Sequence, residues 1–200
     1  MKRLRVHYAK RGPLAFVPHV ELPPLFCRAA RRAGLVPSLT EGLSPHPRVV
    51  LGPPLPMGVL GLDEPADLWF DDLPEGALEK WRRAFPEGLT IHRVDEIGDG
   101  PALSRLCQGA VHRLLMRHPV DRDRLAAALR DHCGQALLGL HPVEDQIEVI
   151  LADPNRFGPG AIVKALAGAG LIAGWQDLLI VRTAVGAVDG ATVVPLWAGR

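Results

Sequence analysis

LRVHYAKRGPLAFVPHVELPPLFCRAARRAG, residues 4–34, contains the two patterns that decide the fold. Its first seven residues alternate between apolar and polar side chains, which is typical of a β-strand with one buried face. After the turn signal Arg11-Gly12-Pro13, residues 21–34 place apolar side chains on one face of a helix that ends at Gly34. The stretch therefore predicts a strand followed by an amphipathic helix.

The same order of elements continues along the chain. In the first half we expect extended segments near residues 36–40, 48–51 and 66–71, a helix over 74–85 and a strand over 89–94. In the second half we expect a strand within 108–116, a helix that opens at Asp121, strands over 136–141 and 146–152, a helix over 160–168 and a strand over 178–185. Both halves then have the order β-α-β-β-α-β of the ferredoxin-like fold. The sequence predicts an α+β protein of two tandem ferredoxin-like domains, residues 1–98 and 104–200.

The composition is that of a globular protein. Hydrophobic residues make up 48% of the chain and charged residues 22%, which excludes disordered and collagen-like classes. The basic first residues are not followed by an apolar segment, and no run approaches the roughly 18 apolar residues of a membrane span. We therefore expect a cytoplasmic protein with no membrane partner. Cys27, Cys107 and Cys133 lie too far apart in sequence to form a cluster-binding motif, so we expect reduced thiols, no metal and no cofactor.

Charge is distributed unevenly along the chain. Residues 1–60 carry a net charge of +7, residues 61–100 carry −7 and residues 101–200 carry +1. This asymmetry is consistent with a polyanion-binding face beside an acidic one. It is equally consistent with two segments that lie close together and neutralise each other. The sequence leaves both interpretations open.

The first helix carries the candidate phosphate-binding residues. Arg28, Arg31 and Arg32 lie at positions i, i+3 and i+4, so their guanidinium groups share the face opposite the apolar stripe. Guanidinium groups can bind phosphate oxygens in a bidentate manner. We expect Lys10, Arg11 and Arg48 to add further phosphate contacts from adjacent segments.

Four short motifs occur in a fixed order: residues 12–21 (GPLAFVPHVE), 28–35 (RAARRAGL), 41–48 (EGLSPHPR) and 54–59 (PLPMGV). Over residues 1–70 they resemble the radical-SAM-linked, or radical-SAM-associated, protein family of bacteria, whose function is unknown. Members of that family occur as small separate proteins or fused behind cobalamin-binding radical SAM modules. They are often encoded near a ribonuclease of the E/G type and near large-subunit ribosomal proteins. The resemblance implies a radical SAM protein as a partner in trans and an RNA or ribosomal particle as the object of both.

Two histidines in turn-rich segments admit two interpretations. His46 lies between two prolines, which restrict its backbone, and His19 precedes the first helix. In the structural interpretation, His19, Glu21 and His46 order the loops around the basic helix. In the catalytic interpretation, His19 and His46 act as acid and base on a ribose phosphate without a metal. A basic helix and an early histidine in a tandem ferredoxin-like protein are similar in outline to the CRISPR repeat-processing endoribonucleases.

The function predicted from the sequence is that of a non-catalytic accessory or substrate-recognition protein. It would work with a separate radical SAM enzyme on RNA or a ribonucleoprotein, because the chain lacks the cysteines for radical SAM chemistry of its own. A metal-independent endoribonuclease is the first alternative. A purely protein-binding module is the second.

Overall fold

The computed structural model describes residues 1–197, which form a mixed α/β fold. The strands are β1 (Lys2–Lys10), β2 (Val49–Leu51), β3 (Leu60–Phe70), β4 (Leu89–Ile97), β5 (Gly109–Met116), β6 (Leu137–Val143), β7 (Gln146–Ala152), β8 (Leu178–Asp189) and β9 (Thr192–Pro195). The helices are α1 (Leu22–Arg32), α2 (Ala77–Arg83), α3 (Leu103–Leu106), α4 (Arg122–Cys133) and α5 (Pro159–Gly168). No helix in this part of the chain is both long and apolar enough to cross a membrane.

The nine strands of the described chain belong to one mixed sheet. Its main path has the order β4-β1-β3-β8-β5-β7-β6, and β2 and β9 pair at the side with β3 and β8. In the first half β1 lies between β3 and β4, and in the second half β5 lies between β7 and β8, with antiparallel pairing throughout. The halves meet where β3 runs parallel to β8, with Leu60 opposite Val181 and Gly61 opposite Arg182.

The predicted strands and helices mostly occur where the sequence patterns placed them. The main differences lie in irregular segments. Residues 36–40 form two isolated bridges, Pro37 with Phe70 and Leu39 with Pro47, rather than a strand. The four-residue helix α3 and the short strand β9 were not predicted, because neither is long enough to show a hydrophobic period.

Helix α1 is held in place by its apolar face. Two prolines stand in its first turn, where the missing N–H groups cost nothing, and Gly34 continues the chain beyond its end with a φ of 81°. Phe26 is fully buried and meets Tyr8 and Phe85 edge-on, with ring centroids 5.1 and 5.2 Å apart. This packing fixes which face of α1 points to solvent.

The second half has its own apolar core between the sheet and helices α4 and α5. Leu125 and Leu129 of α4 and Ile162 and Leu166 of α5 are fully buried against it. Asp121 caps α4, since its Oδ1 accepts from the backbone N–H groups of Asp123 at 2.9 Å and Arg124 at 3.1 Å. The cap is the one the sequence predicts.

A buried ion pair joins the halves at the β3–β8 seam. Arg182 is inaccessible to solvent and donates from Nε and Nη2 to the two carboxylate oxygens of Glu64, at 2.9 and 2.5 Å. Nη2 also donates to the carbonyl of Pro53 at 2.7 Å, and Nη1 donates to the carbonyl of Pro54 at 3.2 Å. Four of the five N–H groups of Arg182 are thus hydrogen-bonded, to β3 and to the loop that precedes it.

Candidate nucleic-acid interface

The solvent face of α1 carries three arginines without acidic partners. Arg28, Arg31 and Arg32 are all exposed, while Phe26, Ala29 and Ala30 on the opposite face are buried. None of the three guanidinium groups forms an ion pair within residues 1–197. The three arginines therefore share one exposed face, as the helical spacing predicts, and their charge is not compensated by direct ion pairs within residues 1–197.

A groove lies beside these arginines. It has a volume of about 530 Å³ and runs between α1 and the loop before β2. Pro23, Pro24, Cys27 and Pro47 give it apolar walls, and Arg28, Arg31 and His46 give it polar ones. We call this groove and the three arginines of α1 the basic face. Arg28 and Arg32 also line a second pocket of about 440 Å³ between α1 and the end of α2, next to Phe85.

The other predicted phosphate contacts differ in their surroundings. Arg11 is exposed on the loop after β1. Arg48 is also exposed, and its guanidinium carbon lies 4.3 Å from the ring centroid of Trp69, so the side chain is held by a cation–π contact. Lys10 is only 1% exposed, and its Nζ donates to the carbonyl of Val17 at 2.7 Å. Burial lowers the pKa of Lys10, although the nearby Glu64 acts in the opposite direction.

The structure places the two predicted histidines in different environments. His46 is exposed on the basic face, where Nδ1 lies 3.1 Å from the hydroxyl of Thr40 and 3.2 Å from the carbonyl of Ser44. His19 is half-buried towards the seam, and its Nδ1 has no hydrogen-bond partner in the described chain. Burial, with the charges of Arg182 and Lys10, lowers the pKa of His19 to about 4. The two imidazoles share no hydrogen bond and no common partner.

Of the three residues predicted to order the loops, His46 has the contacts that this role needs. Its backbone N–H also donates to the Thr40 hydroxyl at 3.2 Å, which closes the loop on itself. Glu21 is exposed at the start of α1, and its carboxylate makes no hydrogen bond within residues 1–197. His19 likewise has no bond from Nδ1 to a neighbouring loop.

Five carboxylates of the acidic segment, residues 61–100, pair with Lys or Arg side chains outside α1. Asp67 accepts from Arg5 at 2.8 and 2.9 Å and from Arg3 at 2.6 Å, and Glu64 pairs with Arg182. Asp95 pairs with Arg93, Glu96 with Lys2 and Glu79 with Arg82. Because these carboxylates are paired locally, they do not neutralise the basic face by direct contact.

A second polar cluster was not predicted from the sequence. Asp63 Oδ1 accepts from His7 Nδ1 at 3.0 Å and from His92 Nε2 at 2.8 Å, and Oδ2 accepts from Trp197 Nε1 at 2.9 Å. Burial alone would raise the pKa of Asp63, but these three hydrogen bonds hold that pKa below its usual range. Its members come from β1, β3, β4 and the residues after β9, so no local spacing could have revealed it.

Residues 3–141 match the sequence model of a family described as an uncharacterised protein conserved in bacteria, DUF2344. The chain belongs to this family. The matched range contains the whole basic face and most of the second polar cluster, whereas Arg182 and Trp197 lie beyond it. No curated protein matches the chain. Family membership therefore confirms the bacterial, uncharacterised class, and the radical SAM link stays a prediction.

Proposed function

We propose that the protein is a non-catalytic accessory or substrate-recognition protein that binds RNA through the basic face and works with a separate radical SAM enzyme. The observation that carries the proposal is the absence of ion pairs at Arg28, Arg31 and Arg32 within residues 1–197. Exposed guanidinium groups without acidic partners are free to bind phosphate oxygens and release the counterions of a polyanion.

The shape and chemistry of the groove support a nucleic-acid ligand over a free phosphate ion. Its walls combine apolar surface from Pro23, Pro24 and Pro47 with Arg28, Arg31 and His46. A nucleotide chain offers both a charged backbone and flat apolar faces, so it can use both kinds of wall. Arg11 and Arg48 provide further exposed cations. The buried Nζ of Lys10 donates to the carbonyl of Val17, so Lys10 is not part of the proposed RNA contact.

We also propose that the two halves are ferredoxin-like domains. The support is the element order β-α-β-β-α-β in each half together with a first strand that lies between the third and fourth. In this arrangement both halves pack their helices on the sheet. The parallel β3–β8 contact then joins the two domains edge to edge.

The radical SAM partner is proposed from the motif resemblance, and one surface supports a protein contact. The backbone N–H of Gly58 donates to the carbonyl of Ala15 at 2.9 Å, which brings residues 12–21 and 54–59 together. Phe16 and Met57 in these segments are 69% and 61% exposed. Exposed apolar side chains mark an interaction site when they lie together in one patch, and the Gly58–Ala15 hydrogen bond brings the segments of Phe16 and Met57 side by side. This surface also favours a purely protein-binding module as the second candidate function.

Binding of labelled tRNA and rRNA fragments, measured by fluorescence anisotropy over a salt series, tests the RNA proposal. We expect salt-dependent binding by the wild type. In the triple variant Arg28→Ala/Arg31→Ala/Arg32→Ala, the log–log salt slope should flatten by roughly 2 to 3, since each lost phosphate contact contributes about 0.7 to 0.9.

The matched control removes the same charge from the second half. Arg117, Arg122 and Arg130 are exposed there, and the triple alanine variant at these positions should keep the wild-type slope. Equal slopes for the two triple variants would contradict the proposal. RNA cleavage in EDTA that is lost in His46→Ala would instead favour the endoribonuclease alternative.

A further inference from the structure

A pocket of about 480 Å³ lies where the two halves meet, apart from the basic face. The first half supplies Asp63, His92 and Arg93 to its lining, and the second half supplies Thr183 and Trp197. Ligand sites occur preferentially at such junctions, because two structural units provide walls of different chemistry. The proposed RNA contacts of α1 make no use of this pocket.

One carboxylate fixes two aromatic rings in this pocket. Asp63 holds His92 through Oδ1 at 2.8 Å and Trp197 through Oδ2 at 2.9 Å, and both rings line the pocket. An ionised carboxylate only accepts hydrogen bonds, so His92 must donate from Nε2. The Nδ1 atom of His92 is therefore left as an acceptor whenever the imidazole is neutral.

The Trp197 ring is held by a hydrogen bond from its N–H and remains partly open to solvent. It is 39% exposed although its N–H is engaged. The guanidinium carbon of Arg93 lies 5.8 Å from its ring centroid, and Arg93 itself is fixed by two hydrogen bonds to Asp95 at 2.6 and 3.1 Å. Aromatic rings held in place before binding lose little conformational entropy on binding, and an exposed ring face can stack with a flat ligand.

We propose that this pocket binds a nucleobase through stacking on Trp197, with His92 and Thr183 available to its polar edge. The shared chemistry is a flat heteroaromatic ring with hydrogen-bonding groups at its rim. Such a ring is present in a free nucleoside or nucleotide and in an unpaired residue of RNA. Binding of an unpaired RNA base rests on the proposed function, whereas binding of a free nucleoside or nucleotide does not.

The test uses the wild-type chain and adenosine, AMP, ribose 5-phosphate and a five-residue oligoadenylate as probes. In an NMR titration of ¹⁵N-labelled protein, the indole N–H signal of Trp197 should shift on addition of adenosine and AMP. The indole of Trp175, which is 44% exposed and lies outside the pocket, should not shift. Trp197→Phe and Trp175→Phe assign the two signals.

Variants of the two tryptophans measure how much Trp197 contributes to the affinity for AMP. Trp197→Ala should raise the Kd for AMP by roughly 5- to 150-fold, the range expected for the loss of one base–aromatic stack. Trp175→Ala should leave that Kd unchanged. If Trp197→Ala does not fold, His92→Ala removes the other ring at an exposed position and should also weaken binding.

The outcomes separate the pocket from the basic face. Ribose 5-phosphate that binds as well as AMP, or a Trp197 signal that stays in place with adenosine, AMP and oligoadenylate alike, would overturn the inference. A Trp197 signal that shifts with oligoadenylate but not with adenosine would support the pocket with RNA as the source. Adenosine affinity should be unchanged in the triple arginine variant, so a loss of RNA binding there does not count against the pocket.

Discussion

Asp67 binds two arginines at once, and this contact shows how residue-scale pairing sets the charge of the surface. Its carboxylate is fully buried and accepts three hydrogen bonds from Arg3 and Arg5. Net charges along the sequence could not reveal these partners, because Asp67 lies 62 positions from Arg5. Asp67 therefore neutralises arginines of β1 within the sheet. It forms no ion pair with the α1 arginines, which have none within residues 1–197.

Lys10 and Arg11 are neighbours in sequence but have opposite surroundings. The alternation of β1 does not separate them, because both faces of the strand are buried from Leu4 to Lys10 and the pairing register shifts between Tyr8 and Lys10. The single buried face predicted for this strand is therefore wrong, and the burial of Lys10 was not predictable from alternation. The exposure of Arg28, Arg31 and Arg32 was predictable from the helical period.

His112 gives a prediction for stability against pH. The imidazole is completely buried, and burial together with the charge of Arg182 lowers its pKa to about 3. The unfolded chain therefore binds a proton near pH 6.5 that the folded chain does not bind until about pH 3. The free energy of unfolding should fall by about 1.4 kcal/mol per pH unit from this group as pH drops below 6.5.

Urea denaturation at pH 7, 6 and 5 measures this slope before most carboxylates titrate. The ring nitrogens of His112 form no hydrogen bond of good geometry in the described chain, and the nearby backbone of Val149 favours the protonated imidazole only slightly, so His112→Leu removes little bonding. The variant should show a flatter pH dependence than the wild type. An unchanged slope in a folded His112→Leu variant would contradict the assignment.

At the scale of elements, the sequence is most informative where a regular period meets a specific end signal. Helix α4 begins after Asp121 and ends before Gly134, and helix α1 is followed by Gly34. The segment between α1 and β2 is less predictable. Its extended residues pair only through isolated bridges, and His46 is positioned by Thr40 and Ser44 rather than by a periodic element.

Removal of the α4 cap should lower the free energy of unfolding modestly, and a serine in place of Asp121 should restore most of it. Asp121→Ala leaves the N–H groups of Asp123 and Arg124 without their acceptor, and we expect a loss of about 1 kcal/mol of unfolding free energy. Asp121→Ser keeps an acceptor at this position and should recover most of the loss. Thermal and urea denaturation measure both variants, and equal stability of Asp121→Ala and wild type would refute the capping role.

At the scale of the whole molecule, the junction of the halves is the feature that sequence patterns could not supply. Repeated element order predicted two similar units, and the strand order within each half is consistent with that prediction. The Arg182–Glu64 contact joins residues 118 positions apart, and the β3–β8 pairing joins Leu60 to Val181 and Gly61 to Arg182. Hydrophobic periodicity is a local pattern and cannot indicate contacts between residues so far apart in sequence.

The shared sheet predicts cooperative unfolding. Because the halves share a β3–β8 ladder and a buried ion pair, we expect one calorimetric transition for the wild type. Arg182→Ala leaves the Glu64 carboxylate buried without its partner and should lower the unfolding free energy by about 3–5 kcal/mol. Lys2→Ala removes an exposed ion pair with Glu96 and should leave the unfolding free energy close to that of the wild type. Two separate transitions in the wild type would show that the halves unfold independently.

The most direct test of the central claim is arginine footprinting of the wild-type protein. Phenylglyoxal modifies exposed guanidinium groups, and mass spectrometry reports the extent at each arginine with and without bound RNA. We predict that RNA protects Arg28, Arg31 and Arg32 on the basic face and leaves Arg117, Arg122 and Arg130 reactive. Equal protection of both sets, or protection confined to the second half, would contradict RNA binding at the basic face.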